Sequence, residues 1–242
     1  MKRSNSVRLV SPLLSALLAQ TASAQDGVQP DLSGSIEAAT DYRFRGYSRS
    51  QEEPVARADV NVAVPIGVST SVFAGGTGII TRGNRDFGSL QAQAYAGMQQ
   101  EAGRIRLTLG GRGYLFPDAE RKNYFELFGS GQTQLGPLSA QLGVALAPEQ
   151  RSYGGKRGIY VYSDLDAGIP GTPLTVAGHL GWEDNAQFRN KLDWSVGLSY
   201  IRNPYSVSLD YVDTNRFAPY TEDRRLKNGA DATLVVRLAA SF

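Results

Sequence analysis

The chain has no cysteine, one histidine and only two methionines and two tryptophans among its 242 residues. The lack of cysteine excludes a disulfide framework, a thiolate-held metal and thiol catalysis. A lone histidine, His179, is a weak basis for a metal site. No apolar run reaches the roughly 20 residues of a membrane-spanning helix. If the chain crosses a bilayer it must do so as a closed barrel, because only helices and closed barrels satisfy their backbone groups in lipid. Gly75-Gly76-Thr77-Gly78 lacks the Lys-Ser/Thr of a phosphate loop and reads as strand, so no cofactor is expected.

What is present begins with an export signal. Lys2, Arg3 and Arg8 form a basic start, Leu9 to Leu18 is mostly apolar, and Ala22-Ser23-Ala24 is a small-x-small cleavage site. That order is the order of a secretory signal peptide. The expected division is therefore a cleaved segment over residues 1–24 and a mature chain over 25–242. The full chain carries 25 Lys and Arg against 23 Asp and Glu. Residues 1–24 hold three of the bases and none of the acids, so the mature chain has 22 against 23, a net of −1. This balance gives no support to a nucleic-acid partner.

Strand patterning dominates the rest. Counting back by twos from the terminus gives Phe242, Ala240, Leu238, Val236, Leu234, Ala232 and Ala230, with Ser241, Arg237, Thr233 and Asp231 among the alternates. A period of two means a strand with one apolar face. Leu192, Trp194, Val196, Leu198 and Tyr200 alternate with Asp193, Ser195, Gly197 and Ser199. Ile105, Leu107 and Leu109 alternate with Arg104, Arg106 and Thr108. Polar faces this charged do not suit a sandwich core; they suit a barrel with lipid outside and water inside.

Short breaks fall at Pro65-Ile66-Gly67, Glu101-Ala102-Gly103, Leu135-Gly136-Pro137, Ile169 to Pro173 and Arg202-Asn203-Pro204. They recur about every 35 residues, the spacing of one hairpin of ~10-residue strands plus a longer loop. Longer polar stretches alternate with them. The expected fold is all-β, a transmembrane antiparallel up-and-down barrel of about twelve strands. An even strand number puts both termini on one side, expected to be periplasmic, in the bacterial outer membrane. Tyr42, Phe44, Phe125, Trp182, Trp194, Tyr200, Tyr205, Tyr211 and Phe242 are expected as interfacial girdles on the lipid face.

Thr40-Asp41-Tyr42-Arg43-Phe44-Arg45-Gly46-Tyr47-Ser48-Arg49-Ser50-Gln51 resembles the N-terminal motif of the TorF family of putative porins. The resemblance covers about a dozen residues. It implies porin activity and names no substrate. Strand parity, with Tyr42 and Phe44 outward, puts Arg43 and Arg45 inward on the first strand.

Sites for enzyme chemistry are scarce, and the chain is not expected to be an enzyme. His179 falls on the inward parity of its strand, whereas a barrel phospholipase works at the lipid-facing surface; a lumen histidine in a polar network is the preferred reading. Asp164 and Asp166 share a face, as glycosidase carboxylates do, but a hydrated pore wall accounts for them. The expected pore lining is Arg43, Arg45, Arg57, Arg104, Arg106 and Arg112 in the first half and Asp164, Asp166, Asp193, Asp210 and Asp231 in the second. Arg57 would face Asp164 and Arg112 would face Asp210 across the lumen, setting a transverse field. Local ion pairs plugging the lumen are the alternative, with Asp231 against Arg43 or Arg45.

These readings give a passive outer-membrane channel for small polar solutes or ions. Two alternatives stay open: a plugged barrel with a structural or surface-interaction role, and a lipid-modifying enzyme centred on His179. The expected partners are outer-membrane lipids, the barrel-assembly machinery reading Phe242, and lipopolysaccharide phosphates. The last would meet Arg82, Arg85, Arg121, Lys122, Arg151, Lys156, Arg157, Arg224, Arg225 and Lys227.

Overall fold

A computed structural model of the chain describes residues 29–84, 87–119, 122–215 and 229–242. The expected signal segment lies outside the described residues. Twelve strands close into one antiparallel barrel. They are β1 (Asp31–Ala39), β4 (Val55–Pro65), β5 (Thr70–Asn84), β6 (Gly88–Ala102), β7 (Ile105–Leu115), β8 (Tyr124–Leu135), β9 (Leu138–Gln150), β10 (Lys156–Gly168), β11 (Leu174–Asp184), β12 (Lys191–Arg202), β13 (Tyr205–Thr214) and β14 (Thr233–Ser241). Two further strands, β2 (Arg43–Phe44) and β3 (Tyr47–Ser48), pair only with each other. Each barrel strand pairs with its neighbours in sequence, and β1 closes on β14 with Ile36 opposite Ala240. Closure leaves no unpaired edge, which is what lipid demands.

The two ends of the barrel differ largely as the spacing of breaks predicts, except that the polar stretch Thr81 to Phe87 is mostly strand. Residues 66–69, 103–104, 136–137, 169–173 and 203–204 connect strands at the end that also holds Asp31 and Phe242. At the opposite end the connections 40–54, 116–123, 185–190 and 215–232 are longer, while 151–155 is no longer than 169–173 and 85–87 is short because β5 runs on to Asn84 and β6 starts at Gly88. We call these the turn end and the loop end.

Alternation sorts each strand into an apolar outer face and a polar inner one. Leu109, Ile80 and Leu142 are more than 60% exposed, whereas Arg57, Asp59, Thr77, Gln91 and Asp164 are buried. A soluble protein would not leave so continuous an apolar band in water. Tyr200, Tyr205 and Phe242 lie on the outer face near the turn end, with Phe125, Trp194 and Tyr211 nearer the loop end. Trp194 and Tyr211 pack with centroids 5.1 Å apart. Two belts therefore flank the apolar band, as at two membrane interfaces.

The first strand departs from its expectation. β1 ends at Ala39, and the segment 41–51 turns into the lumen instead of continuing up the wall. Tyr42 and Phe44, expected on the lipid face, pack inside. The reason is local. Phe44 pairs with Tyr47 across a two-residue turn, Arg45-Gly46, whose φ values are +53° and +77°. Positive φ at both central positions is the signature of the tightest hairpin turn. The Asp41 carboxylate organises the approach: it accepts from Ser48 Oγ (2.6 Å) and Ser50 Oγ (2.7 Å) and pairs with Arg43.

Candidate functional site

The inserted hairpin β2–β3 bonds to the wall at widely separated points. Arg45 forks between two strands, Nη2 to Glu126 Oε2 on β8 (2.6 Å) and Nη1 to Glu183 Oε1 on β11 (2.9 Å). Lys191 on β12 bridges the same assembly, with Nζ 2.7 Å from Glu183 Oε2 and donating to the Arg45 carbonyl at 2.5 Å. The Arg45 guanidinium also lies over the Tyr160 ring of β10 at 4.2 Å. On the other side Arg49 lies over Phe44 at 3.5 Å and donates to Tyr124 Oη (2.8 Å), while Gln91 of β6 donates to the Arg49 carbonyl (3.2 Å). Arg43 donates to the carbonyls of Gly229 (2.8 Å) and Asp231 (3.0 Å) and to Glu52 (3.0 Å). The hairpin thus crosses the lumen at the loop end and is fastened around its rim by charge-assisted bonds, the stronger kind.

The expected opposed rows of charge are replaced by local pairs. Arg57 bonds Asp59 two residues along its own strand, at 2.7 and 2.8 Å, rather than facing Asp164. Asp210 pairs with Arg237 of β14 and accepts from Ser208 (3.1 Å), rather than facing Arg112. Arg106 bonds Glu101 (2.6 Å) near the turn end. Arg104 lies exposed in the turn 103–104, off the lumen wall. Asp231 is also exposed and precedes β14; only its carbonyl meets Arg43. Arg43 and Arg45 belong to the hairpin and not to the wall. Asp166 is half-buried on β10. Arg112 is inward on β7, its guanidinium 5.6 Å from the Tyr95 ring and 5.1 Å from the Phe128 ring. A charge in low dielectric is stabilised most by a close counter-ion, and same-strand or adjacent-strand partners are closer than any across the barrel.

His179 joins a network on β10, β11 and β12. Its Nδ1 is 2.5 Å from Asp164 Oδ1; its Nε2 is 3.1 Å from Asp193 Oδ1 and 2.8 Å from Tyr160 Oη. Ionised carboxylates only accept, so the two contacts are both satisfied when both ring nitrogens carry hydrogen. The network faces the lumen, not lipid. Among the described residues no cluster of three or more His, Cys, Asp or Glu is arranged to hold a metal ion.

Sequence parity alone missed Glu126, Glu183 and Lys191. Glu126 sits between outward-facing Phe125 and Leu127, so its inward parity was available as a signal. Glu183 and Lys191 flank a polar stretch and read as loop, although both end up on strands. Outside the membrane span, the Ser89 hydroxyl and backbone N–H hold the Asp118 carboxyl below its ordinary value, at 2.5 and 2.8 Å. Of the loop cations, Arg82, Lys122, Arg151, Lys156 and Arg157 are described, and Arg82 stands 3.7 Å from Glu53. Arg85, Arg121, Arg224, Arg225 and Lys227 lie outside the described residues.

The model of a bacterial family described as a protein of unknown function (Gcw_chp) matches residues 22–242. The chain belongs to this family. Among solved structures, the chain is similar to the KdgM porin (TM-score 0.54, 8% identity, 87% of this chain and 98% of that one). It is similar as well to the NanC porin (TM-score 0.55, 9% identity, 86% and 98%). The KdgM porin in complex with disordered oligogalacturonate matches with a TM-score of 0.52 at 8% identity, over 87% and 98%. The shared fold is that of the outer-membrane porins. No curated protein matches the chain.

Proposed function

We propose that this chain is an outer-membrane channel for the passive diffusion of small hydrophilic solutes or ions, narrowed at its loop end by the β2–β3 hairpin. The observation that carries this reading is the closed twelve-strand barrel whose outer face is apolar and whose inner face is lined by paired charges, amides and hydroxyls. The porin fold and the resemblance of Thr40 to Gln51 to the TorF family support it. On this reading the turn end and both termini are periplasmic and the long loops face outward. Planar-bilayer recording of the refolded protein tests it. Discrete steps of conductance are expected, with weak ion selectivity because the lumen charges are paired locally.

The hairpin's fastening around the rim favours a second reading, a barrel held shut and used as a structural or surface element. It takes the lead if the wild type gives no conductance steps and a chain lacking the hairpin gives them.

A further inference from the structure

Turnward of the hairpin, the inward aromatic side chains lie flat against the wall. The register puts Phe73 opposite Gly97, Tyr95 opposite Gly75, Phe128 opposite Gly110 and Tyr162 opposite Gly143. Each ring leans over the glycine it faces. A Cβ built on Gly97 would stand 2.7 Å from Phe73 Cζ, and one on Gly110 2.5 Å from Phe128 Cζ; Gly143 would meet Tyr162 in the same way. Tyr95 is buried, with Arg112 over its ring and over that of Phe128, and Tyr160 is buried with Arg45 over its ring, whereas Tyr162 stays partly exposed. One side of the lumen is paved by Phe73, Tyr95 and Phe128, with centroids 6.2 and 6.5 Å apart. The other side carries Tyr160, Tyr162 and His179 at 5.6 and 6.3 Å spacings.

Beside the second group are buried acceptors that no described protein donor reaches at hydrogen-bond distance, Asp193 Oδ2 standing 4.0 Å from Lys191 Nζ. Gln141 Oε1, Asp164 Oδ2 and Asp193 Oδ2 have no hydrogen-bond partner among the described residues, and their side chains are 5% exposed or less. Gln141 is held in place by its amide, which donates to Tyr162 Oη (3.1 Å), and the two aspartates by His179. Buried acceptors of this kind are costly unless a donor meets them. Flat ring faces next to fixed acceptors fit one solute chemistry: a ring with C–H faces and a rim of hydroxyl donors.

We propose that the lumen below the hairpin holds a binding site for neutral saccharides, stacked on Tyr162 and donating hydroxyls to Gln141, Asp164 and Asp193. This rests on the channel reading for how the sugar reaches the site, but binding and conduction are measured separately. The test is a calorimetric titration of refolded protein in detergent with maltose and, separately, with glucuronate, alongside bilayer recording of the same preparation. Maltose is expected to bind, and glucuronate, which brings a carboxylate to two aspartates, more weakly. Tyr162→Leu and Gln141→Leu should each weaken maltose about fivefold, the loss of one ring face or one hydrogen bond. Leu198→Val, on the lipid face, should leave binding unchanged. If Tyr162→Leu does not fold, Gln141→Leu decides alone. No maltose binding by the wild type, tighter binding of glucuronate, or full affinity in every folded variant overturns the site. Conduction without sugar binding removes the site and leaves the channel; sugar binding without conduction does the reverse.

Discussion

Arg45 is the side chain on which the inserted segment turns. Its two nitrogens reach Glu126 and Glu183, all three side chains being 8% exposed or less. Removing one partner of a buried ionic assembly costs about 3–5 kcal/mol, because the remaining charge keeps its desolvation penalty. Arg45→Ala should therefore lower the unfolding free energy by about that amount, read from urea unfolding in detergent. Arg45→Lys should fall between the two, since one ammonium cannot fork to carboxylates on two strands. A second residue with a defined job is Phe242. Its N–H donates to the Gly34 carbonyl at 2.9 Å, its carbonyl accepts from Gly34 N at 3.0 Å, and its ring covers Gly34. Deleting it removes two seam bonds of about 0.5–1.5 kcal/mol each. Folding in detergent should survive, while the amount inserted in cells should drop; equal insertion would discard Phe242 as an assembly signal.

The elements were unequally legible. Leu192–Tyr200 and Tyr205–Tyr211 alternate so regularly that their strands could be drawn from sequence to within a few residues, because a half-lipid, half-water environment imposes period two on every wall strand. The hairpin was missed for the same reason. Tyr42-Arg43-Phe44-Arg45 also alternates, so parity extends β1 straight through it. What redirects the chain is a non-glycine residue at positive φ, Arg45, made tolerable by partners 81 and 138 residues away. No local pattern encodes those partners. The transverse charge field failed likewise: face could be read from the sequence, but Asp59 beside Arg57 was a nearer counter-ion than anything across the barrel. Replacing residues 41–51 by a short flexible turn should raise single-channel conductance. It should leave the barrel intact, because β1 keeps its pairing with both β4 and β14. Unchanged conductance would show that the hairpin is not the constriction.

For the molecule as a whole, the proposed channel should show little ion preference, because the lumen charges pair locally. Arg112 is the lumen cation most able to tip it, resting on rings rather than in a close ion pair with a carboxylate. Arg112→Gln should move the reversal potential toward cation selectivity. The shift should be larger at low salt, since screening acts over roughly 8 Å at physiological ionic strength. Arg57 is a poor target for the same experiment, because its loss exposes Asp59 as well.

The hairpin also carries a clock. Ser48 N–H and Arg43 both grip the carbonyl of Gly229, 186 residues downstream of Arg43, and Thr40 and Val236 exchange bonds across the seam. These are the residues that lead into and begin the final strand. A segment made early therefore forms the seat for the segment made last. Seating the hairpin and closing the β1–β14 seam therefore use the same residues, which couples the two events. A chain with Arg43→Ala should accumulate as an open sheet before it closes, visible as a lag in the gel-mobility shift that marks the finished barrel.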